Sequence, residues 1–195
     1  MNRAATVSRS TRETTVSVDL ALDGSGAAGV ETGVGFFDHL LTALATHGLF
    51  DLQVKTTGDL VIDDHHTVED TALALGDAFA EALGDRAGIR RFGDARAPMD
   101  EALAEAVVDF SGRPYAAIDL ELTTPYVGNL TTQNLPHALE AFARTAGLTL
   151  HLRSRGSNDH HVAEAAFKAL ARALREAVEI DPRRGGQVPS SKGSL

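Results

Sequence analysis

Hydrophobic and polar positions alternate from residue 14 to 22, which puts Val16, Val18, Leu20 and Leu22 on one face, the pattern of a half-buried strand. Asp23-Gly24-Ser25-Gly26 reads as a turn, and residues 28–34 are expected to return beside that strand as its hairpin partner. Over 37–46 the spacing becomes helical through Leu40, Leu41 and Leu44, and His47-Gly48 marks the end. Residues 49–56 alternate again as a strand. Asp63-Asp64 precedes an alanine- and leucine-rich helix over 65–83, where an acidic residue can cap the first turn. Residues 84–97 read as a polar connection, and 103–110 fit a strand or a helix equally. Residues 115–122 read as a strand, 123–134 as a polar loop, 136–145 as a helix, 148–153 as a strand and 160–179 as a long helix. The segment 181–195, rich in Gly, Pro and Ser, is expected to be a flexible tail.

This order repeats. Each half reads as strands, short helix, strand, loop and long helix, so the chain is expected to be α+β, an internal duplication of a β-α-β-α unit with halves at about 1–96 and 97–195. The repeat extends to residues. Asp64-His65-His66-Thr67-Val68-Glu69 matches Asp159-His160-His161-Val162-Ala163-Glu164, 95 residues later. Phe37-Asp38-His39 likewise parallels Leu135-Pro136-His137.

Composition narrows the chemistry. The chain has 195 residues and no cysteine, which excludes disulfides, thiolate catalysis and thiolate metal sites. Its net charge of −9 gives no broad electrostatic footprint for nucleic acid. No apolar run approaches membrane length and the first ten residues lack the core of a signal peptide, so a cytoplasmic protein with no membrane partner is expected.

Eight histidines remain to be accounted for, four of them in adjacent pairs. Residues three and four apart share a helix face, so His65 and His66 each lie with Glu69, and His160 and His161 with Glu164. Adjacent helical residues diverge by about 100°, which suits two neighbouring histidines to two different ions rather than one. With His39 and His137 from the short helices, the chain supplies six imidazoles and two carboxylates, enough for two sites of three His and one Glu. Such donors suit manganese, iron, cobalt or zinc, and softness does not decide among them. His47 and His151 are expected to be ordinary surface or core residues. Anion-binding candidates are Arg91, Arg113 in the turn Ser111-Gly112-Arg113-Pro114, and Ser190, Ser191 and Lys192 of the tail. A dinuclear hydrolase would want carboxylates bridging its ions, and a merely metal-stapled assembly would leave these cations without a role.

Several segments together resemble the imidazoleglycerol-phosphate dehydratases: Thr11-Arg12-Glu13-Thr14, Gly35-Phe36-Phe37-Asp38-His39, both His-His motifs, Gly88-Ile89-Arg90-Arg91-Phe92-Gly93, Met99-Asp100-Glu101, Asp109-Phe110-Ser111-Gly112-Arg113-Pro114-Tyr115 and Pro189-Ser190-Ser191-Lys192-Gly193. The resemblance implies two four-stranded mixed sheets with helices on one face, a homo-oligomer of 24 subunits with active sites at subunit interfaces, and two Mn(II) ions per subunit. It implies His39, His65, His66, Glu69, His137, His160, His161 and Glu164 as metal ligands, with a secondary catalytic role for Glu69 and Glu164. It also implies Arg91, Arg113, Ser190, Ser191 and Lys192 as substrate-phosphate or anion groups, and Glu13 as the substrate-binding and catalytic acid near the reacting carbon. Residues 123–134 match the family only loosely, and no role is carried over to them.

Overall fold

In the computed structural model, which describes residues 3–195, the first half contains β1 (Ala4–Ser10), β2 (Thr14–Ala21), β3 (Ala28–Glu31), α1 (Gly35–Gly48), β4 (Asp51–Gly58) and α2 (His65–Leu83). The second contains β5 (Phe92–Met99), β6 (Ala102–Asp109), β7 (Tyr115–Leu120), the short strands β8 (Tyr126–Val127) and β9 (Leu130–Thr131), α3 (Asn134–Ala146), β10 (Thr149–Arg155) and α4 (Asp159–Val178). Two four-stranded mixed sheets result, in the orders β1-β2-β4-β3 and β5-β6-β10-β7, with β3 and β7 the parallel edge strands. The duplication is therefore present strand for strand. Among the described residues no helix is long and apolar enough to cross a membrane.

Several expectations change. Residues 28–31 do not pair with β2. They run parallel to β4, because the Asp51 carboxylate accepts the Ser25 and Ala27 N–H groups and draws the connection across to β4. The polar connection expected over 84–97 contains β5, so the second repeat starts at Phe92, a few residues before the expected division. Residues 103–110 resolve as strand β6. The loop 123–134 holds the β8–β9 hairpin. The tail is tied to the body: Gly88 N–H donates to Gln187 O at 2.9 Å, and Arg91 Nη1 donates to Pro189 O at 2.8 Å.

Alternation accounts for the layering. β2 and β6 bury every second residue against the helices, and apolar residues of both halves merge into one core. α2 lies on β1 and β2, and α4 on β5 and β6, yet each short helix packs across the duplication: α1 on α4, and α3 on α2. This crossing, which period alone cannot show, positions the site.

Candidate metal centres and anion site

Because α1 lies on α4, His39 reaches the second half. Its Nε2 is 2.8 Å from Glu164 Oε2, and His160 Nε2 is 3.1 Å from the same oxygen. Because α3 lies on α2, His137 reaches the first half, with Nε2 3.3 Å from Glu69 Oε1, while His65 Nε2 is 3.7 Å from Glu69 Oε2. Each triad brings its nitrogens and a carboxylate oxygen within 4.8 Å of one another. Glu164 is buried, which opposes its ionisation, but hydrogen bonds from Lys168 and His39 outweigh that and hold its carboxyl at about 2. The rings of His65 and His137 stack at 4.9 Å.

Both triads fit a divalent ion. The donors are two imidazoles and one carboxylate, suited to a borderline or hard cation. His137 Nε2 is buried without a hydrogen-bond partner, since Glu69 is near it but out of line, and a buried polar atom of that kind calls for a partner.

The other two histidines of the pairs face elsewhere. The rings within each pair are 5.7 and 6.1 Å apart and nearly perpendicular. His66 Nδ1 is 3.0 Å from Asp59, and His161 Nδ1 is 2.8 Å from Glu101. These hydrogen bonds push both histidine pKa values up, and the Glu101 carboxyl is pulled down to about 2 by His161. A carboxylate on one ring nitrogen fixes the ring and leaves the other free to ligate. Glu13 sits in the β1–β2 turn, 3.8 Å from His66 Nε2, and Asp100 sits at the equivalent β5–β6 turn, 3.8 Å from His161 Nε2.

The Asp-His-His motif also organises the loop 123–134. Asp63 accepts the His65 N–H, as Asn158 accepts that of His160. Asp64 is thus free of capping and instead accepts from Thr131 N–H at 2.7 Å and from Asn134, whose Oδ1 is 3.2 Å from His65 Nδ1. Asp159 accepts from the backbone N–H groups of Thr123 and Thr124. Asp59, Glu101, Asn134 and Lys168 are supporting residues without an assigned role in the sequence reading. Lys168 had a visible signal, since it lies one helical turn beyond Glu164. His47 lies near Lys168, and burial, aided by that charge, pushes its pKa down. His151 lies on the open face of the second sheet, 5.9 Å from Tyr115.

The anion candidates gather at the opposite end of the second half. Arg91 pairs with both oxygens of Asp109, at 2.6 and 3.1 Å, and its bond to Pro189 brings Ser190, Ser191 and Lys192 alongside. Arg113 is exposed in its turn, where Gly112 has a positive φ of 72° and Leu195 lies close enough that a Cβ would stand 3.1 Å from it. Half-buried Arg86, also without an assigned role, packs against Gly112 and Gly147 and donates to Ala146 O. Arg91 N–H bonds to Ala177 O, 17 residues along α4 from His160, which is about 26 Å of helix. The eight residues of β5 between Arg91 and Asp100 give about the same span.

The chain matches the imidazoleglycerol-phosphate dehydratase family over residues 32–174. It is 56% identical to an imidazoleglycerol-phosphate dehydratase of Salinispora tropica, with all of both chains covered, and 57% identical to a chloroplastic one of Pisum sativum, covering 99% of this chain and 69% of that one. Its fold superposes on the imidazoleglycerol-phosphate dehydratase of Staphylococcus aureus with a TM-score of 0.82 at 34% identity, over 91% of this chain and 99% of that one. The Pyrococcus furiosus protein in complex with (S)-C348 gives 0.83 at 34%, over 97% and 100%. With its duplicated sheets, crossed helices and paired His–Glu triads, this chain belongs to the imidazoleglycerol-phosphate dehydratase family.

Proposed function

We propose that the chain is a metal-dependent hydro-lyase that dehydrates imidazoleglycerol phosphate to imidazole acetol phosphate in L-histidine biosynthesis. The observation that carries this reading is the pair of triads, His39–His160–Glu164 and His65–His137–Glu69, each built across the duplication. Two ions per chain, manganese(II) in the family expectation, would be held there, and such an ion supplies Lewis-acid activation of an imidazole ring bound through nitrogen.

The substrate's hydroxyl leaves from the carbon attached to the ring, and a proton leaves from the neighbouring carbon. The resulting enol becomes the ketone, and the balance is one molecule of water. Glu13 is the group we assign to the proton at that neighbouring carbon, by general acid–base action. Its exposed turn beside His66 Nε2 supports this role. Arg113, Lys192, the remaining N–H groups of Arg91 and the hydroxyls of Ser190 and Ser191 would hold the phosphate through charge-assisted hydrogen bonds.

The span of about 26 Å between Arg91 and His160 far exceeds a three-carbon phosphate on an imidazole ring, whereas the Arg113 turn, bonded through Gly112 to Gly147, lies about 15 Å of α3 from His137. Arg91 and the His39–His160–Glu164 triad of one chain therefore cannot hold the two ends of one substrate molecule. An active site would then combine the ion end of one copy with the anion end of another, and His66 and His161 would offer their outward Nε2 atoms to ions of neighbouring copies. This supports a homo-oligomer, with 24 subunits the family expectation. A dinuclear hydrolase fits less well, because each glutamate belongs to a single triad.

The direct test is to incubate the Mn(II)-loaded protein with imidazoleglycerol phosphate and follow the ketone. Product formation that falls about 100-fold or more in Glu13→Gln, with metal content intact, is the expected result. No product from the wild type, or full activity in Glu13→Gln, overturns the reaction or the proton-transfer role respectively.

A further inference from the structure

Residues 123–134 take no role from the family resemblance, yet both aspartates that precede the His pairs grip this loop. Asp159 accepts from Thr123 and Thr124 at its start, and Asp64 accepts from Thr131 and Asn134 at its end. Among the described residues, only at the Asp64 end does the contact continue to an imidazole, that of His65. Asn134 is 3% exposed and Asp64 7%, so neither side chain readily exchanges these partners for water.

Chemistry fixes the direction of each bond. A carboxylate only accepts, so the Asn134 amide turns its Nδ2 to Asp64 Oδ1, at 3.1 Å. The amide oxygen is left for His65 Nδ1, at 3.2 Å, and that oxygen too only accepts. A neutral His65 ring therefore carries its proton on Nδ1 and its lone pair on Nε2. Nε2 is the atom that faces Glu69, 3.7 Å away. Asn134 and His137 lie three residues apart on α3, so one helix face brings the amide to His65 and a second imidazole to Glu69.

The duplication provides an internal control. His160 stands where His65 does, but no amide lies between Asp159 and its ring. Both Asp159 oxygens are taken by Thr123 and Thr124. Among the described residues, the His160 ring bonds through Nε2 alone, to Glu164.

We propose that Asn134 is a positioning residue for the His65–His137–Glu69 centre, locking His65 in the tautomer that presents Nε2 to an ion. This role rests on the ion reading above and adds to it the device that prepares one of the two centres. A ligating histidine needs its lone pair aimed before the ion arrives, and a partner on the other ring nitrogen does this. Asp59 and Glu101 do so for His66 and His161 with a full negative charge. Asn134 does so with a neutral amide, itself oriented by the charge of Asp64 one step further back.

The test compares Asn134→Leu with Thr131→Val in the full-length chain. Asn134→Leu removes the amide at similar volume. Thr131→Val removes a hydroxyl bond to Asp64, at 2.6 Å, and leaves the amide in place. Ring-nitrogen NMR of isotope-labelled, metal-free protein at about pH 8, above the imidazole range, reads the tautomer. The His65 signal is assigned by its absence from His65→Ala. Wild type and Thr131→Val are expected to show the Nδ1–H form of His65, and Asn134→Leu to lose it. Competition with a chelator should show one of two Mn(II) steps weakened about 10–100-fold in Asn134→Leu and neither in Thr131→Val. Asn134→Ser, too short to reach His65, should behave as Asn134→Leu and carries the test if leucine prevents folding. Unchanged tautomer and affinity in both Asn134 variants overturn the role. So does an equal loss in Thr131→Val, which would make the amide an anchor for the loop only. A wild type that takes up no Mn(II), yet shows the Nδ1–H form that Asn134→Leu loses, overturns the ion reading and leaves the tautomer lock standing.

Discussion

Glu164 and Glu69 occupy equivalent positions of α4 and α2, and the two carboxylates are held differently. Glu164 offers one oxygen to both its imidazoles, and the other oxygen is taken by Lys168 Nζ at 2.7 Å. Glu69 turns one oxygen to each imidazole, and its cation, Arg144, stands 3.5 Å away and mostly in solvent. The position equivalent to Lys168 is Leu73. Across the bundle, His47 on α1 corresponds to Thr145 on α3, whose hydroxyl donates to Leu73 O at 2.8 Å. Duplication has kept the His–Glu triads and let their supports diverge. The two centres are alike in what they offer an ion and unlike in the charge that competes for it.

The largest expected effect removes a proposed ligand. His39→Ala and His137→Ala should each leave one ion per chain instead of two by elemental analysis. Turnover should fall further than the about 10–100-fold typical of an outer supporting residue. Equal losses would establish two sites of equal standing. A variant that keeps both ions would remove its histidine from the ligand set.

The adjacent His pairs were readable because helical geometry alone separates neighbours and joins Glu69 and Glu164 to them. The strands β2 and β6 differ instructively. β2 alternates Val and Leu with polar residues, while β6 buries Ala102, Ala104, Ala106 and Val108 and carries Leu103 and Val107 on its other face, a pattern with little contrast between strand and helix. β5, with Gly93 and Pro98 among small and charged residues, carries an edge strand's signal and read as a connection. β1 has no fully buried position, so its alternation is faint. The pairing of His39 with Glu164 and of His137 with Glu69 was beyond reach for a different reason. It depends on which helix packs on which, a property of the whole core rather than of any local period.

A smaller effect should follow from the carboxylates behind the outward histidines. Asp59→Asn and Glu101→Gln keep a hydrogen-bond acceptor but remove the charge that fixes His66 and His161. Each should weaken ion binding by about 10–100-fold, read by competition with a chelator. Asp59 has a second oxygen buried without a partner, whereas Glu101 is exposed and also accepts the backbone N–H of Asn158. The loss should therefore be greater for Asp59→Asn, because its charge is less screened by solvent.

The smallest effect addresses the asymmetry itself. Lys168 contributes in two opposed ways. Its charge-assisted hydrogen bond orients Glu164, worth about 1.5–3 kcal/mol. Its positive charge also repels a divalent ion on the same carboxylate, by several kcal/mol at an effective dielectric near 20 before solvent screening. The side chain is only 23% exposed, so screening is incomplete and repulsion should win. Lys168→Met is then expected to tighten the Glu164 centre by about tenfold, roughly 1.4 kcal/mol, and to leave the Glu69 centre unchanged in a two-step Mn(II) titration. Lys168→Arg keeps the charge and should behave as wild type. If Lys168→Met instead weakens the Glu164 centre, orientation outweighs charge, and the two centres differ by how firmly their carboxylate is held rather than by the cation beside it.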